Sequence, residues 1–246
     1  MNMKNILYLL VVALLLSFAA CQKIDNWEEP TARMYGNVID KYTGTNLLMD
    51  QNDWQIRIID RTWEKNNPGA VAQYQSLSVM KDGVYNNTKL FSGTYDMIPY
   101  DGPFWPTDTV KGVILDKETQ QDFTVTPYLQ LTNFKATLNG TNLTLSCNVK
   151  APVITGLPNL YEVKGFLSLT TFCGNSNYIN IAEYNNLRKN INKTWAAEVG
   201  VADNKDYTLG PFLVKSGYTY YVRIGANVNA LSRRYNYTEI VKVVVP

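Results

Sequence analysis

Beyond Ala20, apolar and polar residues alternate one by one in short runs, and glycine, proline and asparagine punctuate those runs. A two-residue period puts successive side chains on opposite faces of an extended chain, so the pattern predicts strands with one buried face. No sustained helical period competes with it. Residues 35–40 read as a strand closed by Lys41-Tyr42-Thr43-Gly44. Trp54, Ile56 and Ile58 alternate with Gln55 and Arg57 in a second strand. Residues 73–80 follow, closed by Asp82-Gly83, and residues 89–91 and 94–98 flank Ser92-Gly93. Residues 110–115 and 121–126 complete a set whose strand density is that of a small sandwich.

Thr126-Pro127 marks the expected boundary, because proline has no N–H to give to a ladder and stiffens the join. After it, residues 134–138 and 142–149 form a hairpin around Asn139-Gly140, a strong turn signal. Strands are expected over 162–173, 195–201, 206–214, 218–226 and 238–245. Tyr218, Tyr220, Val222 and Ile224 share one strand face, and Thr219, Tyr221 and Arg223 the other. The polar stretch 174–193 reads as a long connection with one helical turn at most, the kind of loop in which binding surfaces often lie. The expected fold class is all-β: two small β-sandwich domains in tandem, residues 32–127 and 128–246.

The first residues break the pattern. Lys4 precedes an apolar run, residues 6–20, that ends in Ser17-Phe18-Ala19-Ala20-Cys21. A basic start, a short apolar core and small residues at the end describe a secretory signal, and the run falls short of the roughly twenty residues needed to span a bilayer. Small residues stopping at a cysteine resemble the lipobox of bacterial lipoproteins, with Phe18 where leucine is usual. That resemblance implies a signal peptide over 1–20, cleavage before Cys21, lipid on Cys21, and a polar tether over 21–31. Acyl chains would then hold the protein to the outer membrane. The acidic Asp25, Glu28 and Glu29 after the cysteine resemble the export signal of Bacteroidetes surface lipoproteins, which implies exposure at the cell surface.

Composition narrows the chemistry. The formal net charge is +2, without the basic excess that would draw nucleic acid. The chain has no histidine, which removes Ser-His-Asp and Cys-His catalysis and His-ligated zinc together. Asp50 with Asp53, and Asp203 with Asp206, are loop pairs that read as solvated turns rather than as the two carboxylates of a glycosidase cleft. No catalytic, cofactor or metal residue is expected. Cys147 and Cys173 each follow apolar residues on one strand face, and remain open as a disulfide or as two buried thiols.

Three stretches carry family likenesses. Gly36-x-Val38-x-Asp40-x-x-Thr43-Gly44, with Asp82-Gly83 and Ser92-Gly93-Thr94-Tyr95, resembles the carboxypeptidase-regulatory or transthyretin-like domain over 32–127. The segment from Val214 to Ile224 resembles a fibronectin type III domain, and the likeness makes Tyr220 the corner tyrosine that bonds back to upstream backbone. The whole order resembles a Bacteroidetes surface-lipoprotein family associated with outer-membrane glycan-uptake systems. That likeness implies partners among outer-membrane transporters and sugar-binding lipoproteins.

Aromatic residues carry the functional expectation, because sugar rings stack apolar C–H faces on flat side chains while neighbouring polar groups bond the hydroxyls. Tyr100-Asp101-Gly102-Pro103-Phe104-Trp105-Pro106 is the densest cluster, and its prolines and glycine make it a loop. Trp63 continues the face of Gln55, Arg57 and Arg61, whereas Trp54 shares the face of Ile56 and Ile58 and belongs to a core. The candidate ligand-binding residues are Trp63, Tyr100, Phe104 and Trp105 as stacking surface, with Asp101 as polar partner. The competing role for 100–106 is a plug over the domain end, and for Trp63 it is rim packing. The reading is a non-enzymatic cell-surface lipoprotein that acts as an accessory glycan-binding or assembly component of a polysaccharide-uptake system. The alternative is a structural or adhesion module that binds a protein partner at the outer membrane.

Overall fold

Strand β1 (Ala32–Asp40) alternates without interruption between buried and half-buried positions, so Met34 and Val38 point into a core while Arg33, Tyr35 and Asn37 do not. The structure is a computed structural model that describes residues 29–51, 53–180 and 182–246. In it β1 pairs with β4 (Val84–Leu90) antiparallel, and with the short strands β7 (Glu118–Gln120) and β8 (Phe123–Val125) in parallel. The facing sheet is antiparallel, in the order β3 (Gln75–Ser78), β2 (Gln55–Asp60), β5 (Gly93–Tyr100), β6 (Val110–Leu115). Met34, Val38, Ile56, Ile58, Tyr95 and Met97 meet between the two sheets. Trp54 joins that core, as its alternation with Gln55 predicts.

The second sandwich sets a three-stranded sheet of β9 (Gln130–Asn139), β10 (Asn142–Lys150) and β13 (Asn204–Leu213) against a five-stranded one. The larger sheet runs β12 (Arg188–Lys193), β11 (Leu160–Ser168), β14 (Thr219–Val228), with β15 (Tyr235–Tyr237) and β16 (Val241–Val244) both pairing to β14. Leu143, Leu145 and Tyr207 from one sheet pack on Val163, Val222 and Ile224 from the other. The tandem all-β architecture expected from the alternation is therefore the observed one. The Tyr220 hydroxyl accepts a hydrogen bond from the Lys215 N–H, 3.2 Å away, so it does tie back to upstream backbone.

Local capping overrides the alternation in two places. The stretch containing Trp63 leaves β2 as a short helix, α1 (Arg61–Asn66), because the Asp60 carboxylate accepts from the Trp63 N–H at 2.8 Å. The expected strand at 195–201 is instead a helix, α2 (Trp195–Val199), capped by the Thr194 hydroxyl. Trp195 is buried there, and its indole N–H donates to the Ala202 carbonyl at 3.0 Å. Helices this short cannot display a period. The polar stretch 174–193 holds a 3₁₀ turn (Ala182–Leu187) and also β12, an exposed edge strand with no apolar face to announce it.

Burial decides one open alternative and corrects one expectation. Cys147 and Cys173 are free thiols in separate clusters, Cys147 between the sheets of the second sandwich and Cys173 on the outer face of its larger sheet. Burial pushes both thiols up to about 12, so they pack as small apolar groups. Asp50 and Asp53 are not solvated turn residues, being only 2% and 4% exposed. The signal segment, Cys21 and most of the tether lie outside the described residues.

The cause of that aspartate burial is the join between the domains, since residues 31–246 form one compact unit. Strand β14 is buried on both faces from Val222 onward. Val222, Ile224 and Ala226 fill the sandwich core, while Arg223, Gly225 and Asn227 are covered on the opposite face. On that outer face Phe166, Cys173, Tyr235 and Tyr237 form a cluster against which Leu48 of the first domain packs. Arg223, 1% exposed, reaches across it. Its Nη1 donates to the Met49 carbonyl at 2.9 Å, its guanidinium lies 3.6 Å from the centroid of the Tyr237 ring, and its Nη2 is 3.5 Å from an Asp50 oxygen. The other Asp50 oxygen accepts from the Ser176 N–H at 2.5 Å. At the domain edge, the Gln130 amide donates to Asp40 at 2.7 Å and Lys81 donates to the Thr171 carbonyl at 3.0 Å.

Gly174 permits this arrangement. A Cβ there would stand 2.2 Å from Arg223 Nη2 and 2.5 Å from Asp50 Cγ, so any larger residue must separate the pair. Gly174→Ala is expected to lower the unfolding free energy by about 3 kcal/mol, the scale of breaking a buried ion pair. Urea unfolding followed by tryptophan fluorescence measures it, and an unchanged midpoint would contradict the proposed role of the pair.

Candidate functional site

Strand β5 delivers the aromatic loop. Its alternation sends Tyr95 and Met97 inward and Asp96, Ile98 and Tyr100 to the outer face of the sheet. The chain then turns sharply. Asp101 adopts a φ of 60°, and a Cβ on Gly102 would stand 1.9 Å from the Phe104 ring. Because Gly102 leaves that space open, Phe104 folds back under the loop and meets Trp54 edge-on, with ring centroids 5.0 Å apart. Backbone then laces the loop to the linker. The Trp105 N–H donates to the Thr126 carbonyl at 2.9 Å, and the Tyr128 N–H donates to the Pro103 carbonyl at 3.0 Å. Trp105 is half-buried against Tyr128, centroids 5.3 Å apart. Phe104 and Trp105 thus act as the plug, and Tyr100, 37% exposed, is the ring left at the surface.

Tyr100, Asp101 and Phe104 come together on one cleft of about 250 Å³, bounded on the far side by residues 230–234 of the second domain. Asp101 faces across the cleft rather than into solvent. Its Oδ2 accepts from the Ser232 hydroxyl at 2.7 Å and lies 3.4 Å from Arg234 Nη2. Arg234 Nη1 is 2.9 Å from Asp53 Oδ1, so one guanidinium ties two carboxylates of the first domain to the second. Burial pushes Asp53 up to about 6, against the lowering pull of Arg234 and with a further upward push from Asp50.

On the other side of Tyr100 the outer face of the sheet forms a second groove of about 240 Å³. The Arg57 guanidinium stacks over Tyr100, 3.4 Å from the ring centroid, and lies 5.2 Å from that of Tyr74. Deeper in the groove Arg61 Nε is 2.8 Å from Asp96, which also accepts from the Gly112 N–H at 3.0 Å. Burial would raise the Asp96 carboxyl, but these two donors and the nearby Lys111 charge outweigh it and hold the group below its usual range.

Trp105 borders a separate hollow of about 370 Å³ with Lys41, Asp108 and Asp122. Trp63, 42% exposed on α1, lines none of the three. Arg57, Tyr74 and Arg234 are the site residues that sequence reasoning missed. Arg57 carried a signal, since it alternates with Ile56 and Ile58 and must face outward. Tyr74 and Arg234 lie just outside strands and had none. The other acidic pair is at the surface, Asp203 3.3 Å from Lys150 and Asp206 accepting from the Asn148 amide at 2.9 Å. Among the described residues no three acidic or cysteine side chains converge as metal ligands. The arrangement offers an exposed ring, a stacked guanidinium and fixed polar rims, which suits binding.

Residues 32–126 match the family model described as protein of unknown function (DUF3823) N-terminal domain, and residues 129–242 match the domain of unknown function DUF3823_C. A solved structure from Bacteroides uniformis, described as a "putative carbohydrate binding protein", is 23% identical with a TM-score of 0.73, covering 87% of this chain and 99% of that one. A DUF3823 family protein from the same species is 22% identical, with a TM-score of 0.71 and coverage of 88% and 100%. One from Parabacteroides merdae is 21% identical, with a TM-score of 0.66 and the same coverage. At these identities the likeness is one of fold. No curated protein matches the chain.

The raised Asp53 carboxyl has a consequence for stability. The folded protein holds this proton more tightly than the unfolded chain, whose value is near 3.8. The group's contribution is therefore complete below that value and is lost as pH rises through about 6. The loss is at most about 3 kcal/mol. Asp53→Asn removes it, so the stability of the native chain relative to the variant should fall between pH 4 and pH 7. Parallel curves in pH-dependent chemical unfolding would refute this.

Proposed function

The chain belongs to the DUF3823 family, and from the site at its domain junction we propose that it is a non-enzymatic glycan-binding accessory component of a polysaccharide-uptake system, displayed as a lipoprotein on the bacterial surface. One observation carries the binding reading. Tyr100 stands exposed between two concave surfaces, at the end of β5 beside a loop whose two rings are anchored in the core and against the linker. An amphipathic ring held this way offers a flat apolar face at little entropic cost, with polar groups within reach on either side. The Bacteroides uniformis structure of the same fold, by its description, agrees with this reading. The anchor reading rests on the sequence ending at Cys21. On the domain level, the Tyr220 tie supports a fibronectin type III-like second sandwich, and the Gly36 to Gly44 motif supports a transthyretin-like first one.

Isothermal titration against a panel of polysaccharides tests the binding. Tyr100→Ala should weaken the best ligand about tenfold, whereas Trp63→Ala should leave it unchanged. If no glycan is bound while an outer-membrane transporter is captured stoichiometrically, the adhesion alternative replaces this reading.

The anchor is tested separately, by expressing the full chain in a bacterial host of the matching type. Cys21→Ala should move the protein out of the membrane fraction, and a variant that stays membrane-bound would overturn the lipid attachment.

A further inference from the structure

The groove beside Tyr100 carries charge that the protein itself leaves unanswered. Of its ionisable side chains, Arg61 and Asp96 answer each other at 2.8 Å, and Arg61 is also 2.6 Å from Glu64. Arg57 and Lys111 line the same groove; the Lys111 charge acts on Asp96 without a direct ion pair, and among the described residues Arg57 has no carboxylate partner. Register explains why the groove collects them. Arg57 pairs with Ile98 across β2 and β5, and Lys111 sits on the adjoining strand β6, so all three project from neighbouring strands of one sheet face. Arg57 is half-buried and stacked on Tyr100, with Tyr74 beside it.

Stacking uses the flat face of a guanidinium and leaves its N–H edge open. That edge matches a carboxylate or another oxyanion in two parallel hydrogen bonds, and the aromatic contact fixes its direction in advance. A neutral sugar needs no such edge, and a groove built for hydroxyl groups alone would gain nothing from a guanidinium without a carboxylate partner. Ile59 and Ile98, with Thr109, complete the lining, and the two isoleucines suit the C–H face of a pyranose ring.

We infer that this groove is a subsite for an acidic sugar residue, with Arg57 binding the oxyanion edge-on, Lys111 adding a second positive charge, Tyr100 aligning the guanidinium and Ile59 and Ile98 meeting the C–H face of the ring. The inference rests on the glycan-binding reading and names its substrate class: a polysaccharide carrying carboxylate or sulfate groups. Both anions present the same oxygens to Arg57, so the probes must separate them.

Titration of the protein uses homogalacturonan as the carboxylate probe and a sulfated galactan as the sulfate probe. Methyl-esterified homogalacturonan and a neutral galactan serve as their uncharged counterparts. Binding to at least one acidic probe is expected, at least about tenfold tighter than to its uncharged counterpart and weakened by salt. Arg57→Ala should abolish that preference, Arg57→Lys should restore part of it, and Lys111→Ala should reduce it about threefold. Lys111 is exposed, so that variant keeps the test valid if Arg57→Ala disturbs the sheet. Equal binding of charged and uncharged probes, or a preference that survives both Arg57→Ala and Lys111→Ala, overturns the inference. If only neutral glycans bind, and Tyr100→Ala weakens them, the acidic subsite is wrong while the glycan-binding reading stands. If nothing binds, both fall.

Discussion

A guanidinium buried between two domains is the constraint on which the rest of the molecule depends. Removing Arg223 and Asp50 from water costs several kcal/mol per ion, and their attraction offsets that only when geometry and extra hydrogen bonds are good. Here the Met49 carbonyl, the Tyr237 ring and the Ser176 amide supply the additional contacts. These partners come from both domains, so each sandwich supplies part of the solvation of the other, although among the described residues Arg223 Nε and Nη2 make no hydrogen bond. An apolar interface could slide by a residue and lose little. A buried charge with partners at fixed distances cannot, because any slip strands it. The Leu48 contact supplies apolar burial at this surface, and the ion pair fixes where the surfaces meet.

The same device is repeated at the edge of the interface, where it shapes the cleft. Arg234 spans Asp53 and Asp101, and the Ser232 hydroxyl donates to the same Asp101 oxygen that faces Arg234. Asp101 is the first residue after the β5 strand, so the tie reaches the base of the aromatic loop. That loop is also bonded to the linker through Trp105 and Tyr128. Flexible loops lose affinity to the ordering they undergo on binding. A loop tied to a core ring, a linker and a second domain has that ordering built in.

The sandwiches were legible because each needs one buried face per strand, and a two-residue alternation records that need directly. Trp54, Ile56 and Ile58 show it, and so do Leu143 and Leu145. The short helices were not legible, because α1 and α2 are set by single caps at Asp60 and Thr194 rather than by a period. The interface was invisible for a different reason. Arg223 was placed on the correct strand face, opposite Val222 and Ile224, but alternation says only which face a residue shares, not whether a second domain covers it. Asp50 and Asp53 likewise read as polar loop residues, since nothing near them in sequence announces arginines 173 and 181 positions away. The site was legible in part. The aromatic cluster marked the right loop, and the sandwich parity of Arg57 marked the right sheet face, but the division of labour among the rings needed coordinates.

That division bears on how any binding data should be read. Phe104 is 4% exposed and packed on Trp54 in the first domain's core. Truncating such a ring commonly costs about 3–5 kcal/mol, a large share of the roughly 5–15 kcal/mol by which domains are stable. A Phe104 variant that failed to bind sugar would therefore report on folding before it reported on contact. Tyr100 carries no such burden, because its inner neighbours Met97 and Pro99 remain in place without it. Arg57 sits between these cases: its stem belongs to β2, but its guanidinium rests on Tyr100 and Tyr74 at the surface. Loss of the ring and loss of the cation should then be coupled, since each positions the other, and a double-mutant cycle between Tyr100 and Arg57 would show less than additive losses. Additive losses would mean that the stack is incidental and that the two groups meet a ligand independently.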